Sequence, residues 1–140
     1  MSISKASAKW EGTLKQGRGT MKPAHVPEVP FGLASRFEGA DGSNPEELIG
    51  AALAGCFSMA LSASLEKAGF KPRSVRTEAE VSLDKDGAGF SITKINLTSV
   101  ASVPDLEASK FELIAQETKE SCPVSKALFG TKVILSARLD

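Results

Sequence analysis

The sequence predicts an α+β fold in which antiparallel β-hairpins pack around a long central helix and a second helix. Two observations lead to this class. A charge-free stretch, residues 48–65, lies between strong helix start and stop signals. On both sides of it, short segments of alternating apolar and polar residues are separated by turns rich in glycine and proline. A chain of 140 residues can bury a substantial core, so we expect one domain, residues 1–140.

The charge balance excludes several classes of function. Lysine and arginine together number 17, aspartate and glutamate also number 17, and the formal net charge is zero. Proteins that bind nucleic acid or an anionic membrane surface normally carry a basic excess, so we expect neither partner. The N-terminal sequence "MSISKASAKWEG" lacks the apolar stretch of a signal peptide, and the expected location is therefore the cytoplasm.

Three strands are predicted before the central helix. The segment "ASAKWEGTLKQGRGTMK" is typical of a hairpin, with Gly17 and Gly19 marking the turn. Residues 22–30 contain three prolines and predict a loop. The next segment, "FGLASRFEG", alternates in a way that predicts a third strand, ended by the turn "GADGSNP".

The central helix is predicted over residues 45–67. Asn44 suits the N-cap, Pro45 suits the first helical position, and Glu47 completes a capping box. Gly69 fits the left-handed position after the last turn. About 18 apolar residues can span a membrane, but the serine and glycine content and the lack of flanking basic residues favour a helix buried in a domain or an oligomer.

Two more strands and a closing strand are predicted after the helix. Residues 75–83 alternate as a half-buried strand, and "DKDGAG" turns the chain into the next one. The apolar phase changes between Ile92 and Ile95, which predicts a bulge near Lys94. The final segment, "TKVILSARLD", alternates as a strand with four apolar residues on one face.

A second helix is predicted to open at Pro104 and Asp105 and to end near Cys122, because the residue before a proline is disfavoured in the helical region. Its expected core face consists of Leu106, Leu113 and Ile114. Pro123 can then start a short helix that runs to Leu128, with Cys122 at its N-cap.

The two cysteines are the residues capable of redox chemistry. His25 is the only histidine, so a zinc site or a cysteine–histidine dyad lacks suitable partners. Cys56, in an apolar helix, would be inert unless a cation such as Arg36 or Arg18 stabilised its thiolate. Cys122 at a helix start would have a lowered pKa. The residues alone leave open which cysteine reacts first.

Three longer motifs carry a resemblance to a known family. The segments "RFEGADGSNPEELIGAALAGCFSMALS", "VSLDKDGAGFSITKINL" and "SCPVSKAL" resemble the OsmC branch of the OsmC/Ohr family of peroxiredoxin-like proteins, and the match covers nearly the whole chain in order. The resemblance implies the OsmC-like fold and an intertwined homodimer with two active sites at the subunit interface. It also implies a thiol-dependent peroxidase that reduces organic hydroperoxides during oxidative or osmotic stress.

The resemblance also assigns the site residues. Cys56 corresponds to the peroxidatic cysteine and Cys122, in the Cys-Pro motif, to the resolving cysteine. Glu46 corresponds to the family's glutamate, and the arginine matches Arg36 in this branch, whereas the sister Ohr branch uses one where Arg18 stands. Cys56 would become a sulfenic acid and then form a disulfide with Cys122. An external dithiol would reduce that disulfide, and the family suggests dihydrolipoyl groups. No metal or organic cofactor is expected.

Two further expectations concern the surroundings of the thiol. Glu46 precedes Cys56 by ten residues, about 15 Å along a helix axis, so we expect Glu46 and Arg36 to reach Cys56 of the other subunit. Apolar side chains near the thiol would favour alkyl hydroperoxides, with Phe31, Phe57 and Met59 as candidates. The alternative functions are a general thiol–disulfide oxidoreductase and a non-catalytic dimeric binding protein.

Overall fold

The α+β class predicted from the sequence is confirmed. The computed structural model describes residues 1–140 and contains six strands and four helices. The strands form two separate three-stranded sheets. The chain divides into two compact units, Met1–Leu48 and Ile49–Asp140.

The sheet of the first unit is antiparallel and contains the predicted hairpin. Strand β1 (Ala6–Glu11) pairs with β2 (Arg18–Pro23), and β2 pairs with the short β3 (Val29–Phe31). Gly19 of β2 has no room for a side chain, because a Cβ there would lie 2.5 Å from the Phe31 ring and 2.7 Å from the Trp10 ring. The two rings pack against each other with their centroids 5.6 Å apart.

The strand predicted in "FGLASRFEG" is wrong beyond its first residue. Strand β3 ends at Phe31, and the following residues form helix α1 (Leu33–Phe37). Ser35 explains the difference. Its hydroxyl accepts from the backbone N–H of Gly32 (2.9 Å) and donates to the Ser43 carbonyl (2.8 Å). These local hydrogen bonds stabilise a helical turn against the strand that the alternation favours.

Helix α2 (Pro45–Lys67) has the predicted bounds. At its start the backbone N–H of Glu47 donates to Oδ1 of Asn44 (2.8 Å), which confirms the N-cap. At its end the N–H of Phe70 donates to the Leu65 carbonyl (3.0 Å), and Gly69 has a φ of 94°. This is a Schellman ending, and the positive φ explains the glycine.

By length and composition alone, α2 could cross a membrane, since an 18-residue window has a mean hydropathy of 1.8. The core helix of a water-soluble protein passes the same test. In this chain one face of α2 is fully buried in the core of the second unit, through Leu53, Phe57, Leu61 and Leu65.

The second sheet combines antiparallel and parallel pairing. Strand β4 (Ser74–Asp86) pairs antiparallel with β5 (Gly89–Ser102), and their register shifts between Ser82 and Leu83, which confirms the predicted bulge. Strand β6 (Lys132–Leu139) pairs parallel with β5, so this sheet is not built from antiparallel hairpins alone. A parallel pair needs a long crossover connection, and the two helices between β5 and β6 provide it.

Helix α3 (Ala108–Ser121) begins later than predicted, with Glu107 at its N-cap. Asp105 has a φ of 64°, a left-handed conformation that cannot start an α-helix. The expected core position of Leu113 is wrong, because that residue is 61% exposed. The buried residues of α3 are Phe111, Ala115 and Thr118, while Leu106 and Ile114 pack partly buried against the core.

Helix α4 (Pro123–Ala127) follows directly, with Cys122 as its N-cap and Pro123 at its start, as predicted. The core of the second unit is formed by α2, β5 and α3 together with Cys122. The alternating face of β6 packs against this core through the four residues predicted, Val133, Leu135, Ala137 and Leu139.

Candidate active site

The second unit brings the two cysteines together. Cys56 lies on α2 and Cys122 lies between α3 and α4, yet their sulfurs are only 2.9 Å apart. Both thiols are free, with Cys56 half-buried and Cys122 fully buried. A disulfide requires a sulfur separation of about 2.05 Å, so small side-chain movements are sufficient to join them. The pair can therefore cycle between dithiol and disulfide within one chain.

Two helices fix the position of Cys122. Its backbone N–H donates to the Thr118 carbonyl at the end of α3 (2.9 Å), and its own carbonyl accepts from Lys126 N–H in α4 (3.0 Å). Pro123 prevents α3 from continuing. The side chain of Cys122 is thus held at a rigid junction, facing the core and Cys56.

The surroundings shift the pKa values of the two thiols in opposite directions. Burial raises the pKa of the Cys56 thiol, and its hydrogen bond with Cys122 raises it further. Burial also raises the pKa of Cys122, but its hydrogen bond with Cys56 and the nearby backbone N–H groups of Ser125 and Val124 outweigh this effect, so the pKa of Cys122 is lowered. No cation contributes to either shift.

The first unit contains the predicted arginine and glutamate as an ion pair. Nε of Arg36 donates to both carboxylate oxygens of Glu46 (3.1 and 3.2 Å), and Nη2 donates to Oε1 (2.5 Å). Glu46 is 7% exposed, whereas the Arg36 side chain is 36% exposed. The guanidinium has five N–H donors, so the two on Nη1 are not used by Glu46. Glu46 can therefore orient the Arg36 guanidinium while its Nη1 donors stay available to another group.

Helix α1 determines where Arg36 lies. The guanidinium also stacks on the neighbouring Phe37 ring, 5.4 Å from its centroid. The family resemblance points to Arg36, but the residue lies on a helix and not on the strand predicted for this segment. The missed signal was Ser35, whose side chain can hydrogen-bond a backbone N–H three residues earlier, as it does at Gly32.

An apolar cavity of about 300 Å³ lies beside Arg36 in the first unit. Phe31, one of the three apolar candidates, lines it. The other two candidates differ, because Phe57 is fully buried in the core and Met59 is 78% exposed. The cavity is lined by Trp10, Leu14, Phe31, Gly32, Leu33, Arg36 and Phe37.

Arg18, the alternative arginine, has a different environment. It is exposed on β2, opposite Glu11 in the ladder, and forms no ion pair with Glu46. It lines a separate cavity of about 360 Å³ together with Lys9 and Lys15. Residues 1–140 contain no group of three or more His, Cys, Asp or Glu side chains arranged to hold a metal ion.

Two α-helical elements that bring free thiols into contact, in an α+β fold, define a thiol-dependent redox protein. The chain belongs to the OsmC family, since the family model described as "OsmC-like protein" matches residues 38–136. This confirms the family resemblance seen in the sequence.

Known proteins of this family are similar to most of the chain. Peroxiredoxin OsmC of Escherichia coli (strain K12) is 54% identical over 126 residues, which cover 89% of this chain and 88% of that protein. The organic hydroperoxide resistance protein OhrB of Bacillus subtilis (strain 168) is 38% identical over 95 residues, covering 66% and 67%. These relatives support the predicted peroxidase class and the role in hydroperoxide stress defence.

A solved structure supports the fold. The organic hydroperoxide resistance protein OsmC from Legionella pneumophila aligns with a TM-score of 0.73 at 23% identity, and the alignment covers 99% of each chain. The OsmC-like fold expected from the sequence is therefore confirmed.

Proposed function

We propose that this protein reduces organic hydroperoxides to alcohols through Cys56 and Cys122. The observation that carries the proposal is the 2.9 Å separation of the two sulfurs, which lie 66 residues apart in the chain. A thiol pair at this distance can trap an oxidised sulfur as a disulfide before further oxidation. The relatives named peroxiredoxin and organic hydroperoxide resistance protein support the choice of substrate.

In the first step the Cys56 thiolate attacks the terminal oxygen of the hydroperoxide. The S–O bond forms as the O–O bond breaks, the sulfur is oxidised to sulfenic acid, and the alkoxide takes a proton and leaves as alcohol. Burial raises the pKa of Cys56, so this step needs a cation to stabilise the thiolate. Arg36, oriented by Glu46, supplies that cation.

In the second step the Cys122 thiolate attacks the sulfur of the Cys56 sulfenic acid. The S–S bond forms, the S–O bond breaks, and hydroxide leaves and is protonated to water. The backbone N–H groups of Ser125 and Val124 lower the pKa of Cys122 and remain in place when Cys56 is oxidised, which suits Cys122 to this role. An external dithiol then reduces the disulfide by two exchange reactions and is itself oxidised to a disulfide. Dihydrolipoyl groups are the proposed reductant.

The functional form is proposed to be an intertwined homodimer. One face of α2 is apolar, built mainly from small residues, and exposed in the single chain, and its Met59 is 78% exposed. Such a face allows close helix packing and is unfavourable in water. Glu46 precedes Cys56 by ten residues, about 15 Å along α2, and the proposal assigns Arg36 and Glu46 to the Cys56 of the partner subunit. The face consists of Ala52, Gly55, Met59 and Ala63.

The two compact units are proposed to be parts of a single OsmC-like domain, residues 1–140. The proposed location is the cytoplasm, where cellular thiol systems keep such cysteines reduced between turnovers.

Stopped-flow oxidation of the reduced protein tests the function. We expect cumene hydroperoxide to oxidise it faster than hydrogen peroxide does, with one alcohol released for each disulfide formed. The Cys56→Ser variant serves as the matched control and should consume neither peroxide. If the reduced protein reacts with neither peroxide but exchanges with small disulfides, it is a general thiol–disulfide oxidoreductase instead.

A further inference from the structure

We infer that Ser125 is a positioning residue for the resolving thiol, and that its hydroxyl donates a hydrogen bond to the Cys122 sulfur when that sulfur is a thiolate. The inference rests on the proposed function, in which Cys122 attacks the oxidised Cys56. It adds a third residue to the resolving step, one that touches neither the peroxide nor the sulfenic acid.

Ser125 stands out because its hydroxyl has no partner. Among residues 1–140 it is the one buried side-chain oxygen or nitrogen that makes no hydrogen bond. Burying a hydroxyl without a hydrogen bond is unfavourable, and native proteins rarely retain such a group without a reason. A second state of the site in which the hydroxyl gains a partner provides that reason.

The local geometry indicates the Cys122 sulfur as that partner. Cys122 is the N-cap of α4 and Ser125 is the third residue of the helix. Side chains at these two positions face each other across the first turn, as they do in a capping box. The backbone N–H groups of Ser125 and Val124 lower the pKa of Cys122, although its side chain makes no capping hydrogen bond with them. The hydroxyl of Ser125 lies on the same first turn, on the side that faces the Cys122 sulfur.

The chemistry of sulfur explains why the bond depends on ionisation. A thiol sulfur is a weak acceptor, whereas a thiolate carries a full charge that neighbouring donors stabilise. Burial raises the pKa of Cys122, and the groups that lower it are Cys56, the backbone N–H groups nearby and the Ser125 side chain. The Ser125 hydroxyl makes no hydrogen bond to the neutral thiol. When the thiolate forms, the Ser125 hydroxyl can turn to it and is no longer unpartnered.

No charged side chain stabilises the Cys122 thiolate in place of Ser125. Cys56 on α2 is the titratable group in contact with Cys122. On α3, the Lys119 ammonium pairs with Glu120 (3.3 Å) and donates to the Val133 carbonyl of β6 (3.4 Å). On α4, Lys126 is exposed. Ser125 is thus a neutral donor that acts where no cation contributes to the pKa of Cys122.

Removing the Ser125 hydroxyl changes the rate of Cys122 attack in opposite directions at low and high pH. Without the hydroxyl we expect the pKa of Cys122 to rise by about one pH unit. Below that pKa the thiolate fraction falls about tenfold, while the remaining thiolate becomes about threefold more nucleophilic, so attack on the sulfenic acid slows about threefold. Well above it, only the gain in nucleophilicity remains and attack is about threefold faster.

Thiolate absorbance at 240 nm, followed against pH, tests the inference without any peroxide. The parent is the Cys56→Ser variant, in which Cys122 is the only thiol. Adding Ser125→Ala should raise the midpoint of the Cys122 titration by about one pH unit. The isosteric pair Ser125→Thr and Ser125→Val controls for packing, and only valine should raise the midpoint. Ser121→Ala, which removes a neighbouring hydroxyl that donates to Thr118, should leave it unchanged.

Disulfide formation after one equivalent of cumene hydroperoxide is the second measurement, made in the chain with both cysteines. Ser125→Ala should be slower than the parent at neutral pH and faster at alkaline pH. Equal midpoints for threonine and valine, or a rate change of the same sign at every pH, would overturn the inference. If the peroxide does not react, the proposed function fails, while the titration still decides the role of Ser125.

Discussion

Arg36 places two of its three guanidinium nitrogens on the carboxylate of Glu46, a residue ten positions further along the chain. Glu46 is almost fully buried, while the Arg36 side chain is 36% exposed. The buried carboxylate therefore fixes the plane of the guanidinium and leaves its outer nitrogen available. A paired arginine of this kind loses less side-chain freedom when it binds a thiolate or a peroxide oxygen.

This relationship predicts the effect of Glu46→Gln. The amide keeps the size of the side chain but removes the charge that orients Arg36, so we expect kcat/KM for cumene hydroperoxide to fall about tenfold or more. Steady-state kinetics with a dithiol reductant measures it. Glu47→Gln is the matched control, because Glu47 is exposed at the helix start, and it should retain the parent rate. An unchanged rate in Glu46→Gln would remove Glu46 from the mechanism.

Cys122→Ser separates the two thiol roles. With no second sulfur at 2.9 Å, the variant should consume one equivalent of hydroperoxide and then accumulate Cys56 sulfenic acid. Dimedone labelling followed by mass spectrometry detects the adduct on Cys56. A Cys122→Ser protein that fails to consume even one equivalent would mean that Cys122 is the peroxidatic residue.

The opposite pKa directions predict opposite effects of pH on the stability of the reduced protein. The raised pKa of Cys56, caused first by burial, favours folding below the ordinary thiol value of 9.0, and this contribution is lost as pH rises through the folded value. The lowered pKa of Cys122 gives a contribution that is present above 9.0 and is lost as pH falls through its folded value.

Urea unfolding of two variants from pH 7 to 11 measures the first of these effects. Cys122→Ser retains Cys56 and should lose stability with rising pH more steeply than the double variant with Cys56→Ser. Parallel curves for the two variants would contradict a raised pKa at Cys56.

Gly19→Ala should destabilise the first sheet. The added Cβ would meet the rings of Phe31 at 2.5 Å and Trp10 at 2.7 Å, which forces both to move. Overpacking of this kind costs about 1–3 kcal/mol, and the Tm should fall by several degrees. Gly130→Ala is the control, because a Cβ there meets nothing within 4 Å. Equal Tm values for the two variants would show that the rings adapt freely.

Met59→Glu tests the proposed dimer. The side chain is 78% exposed in the single chain, so the charge costs little in a monomer but is unfavourable in an apolar interface. We expect light scattering to give a dimeric mass for the parent and for Met59→Leu, and a monomeric mass for Met59→Glu. Peroxidase activity should be lost along with the dimer. A dimeric Met59→Glu would place the interface elsewhere.

Local signals in the sequence predicted some elements completely. Helix α2 has its predicted bounds because Asn44 and Gly69 determine its ends through short-range hydrogen bonds. The junction at Cys122 followed from the proline after it. Helix α1 was missed because the hydrogen bonds of Ser35 outweigh an alternating pattern. The Arg36–Glu46 pair came from the family resemblance, since no local pattern relates the two residues.

Long-range relationships were harder to predict. The parallel pairing of β6 depends on where α3 and α4 return the chain, which alternation within β6 does not encode. Leu113 suits a helical core face by spacing, yet α3 turns Phe111, Ala115 and Thr118 inward instead. The contact between Cys56 and Cys122 is of the same kind, because it depends on the complete second unit.

The crossover that makes β6 parallel also carries Cys122, so oxidation closes a loop of 66 residues. A covalent link of that span removes conformational freedom from the unfolded chain and would stabilise the oxidised protein by about 4 kcal/mol. The spent form, awaiting its reductant, is then more resistant to heat and proteolysis than the active form. Under peroxide stress the protein would therefore accumulate in its more stable, disulfide-linked form.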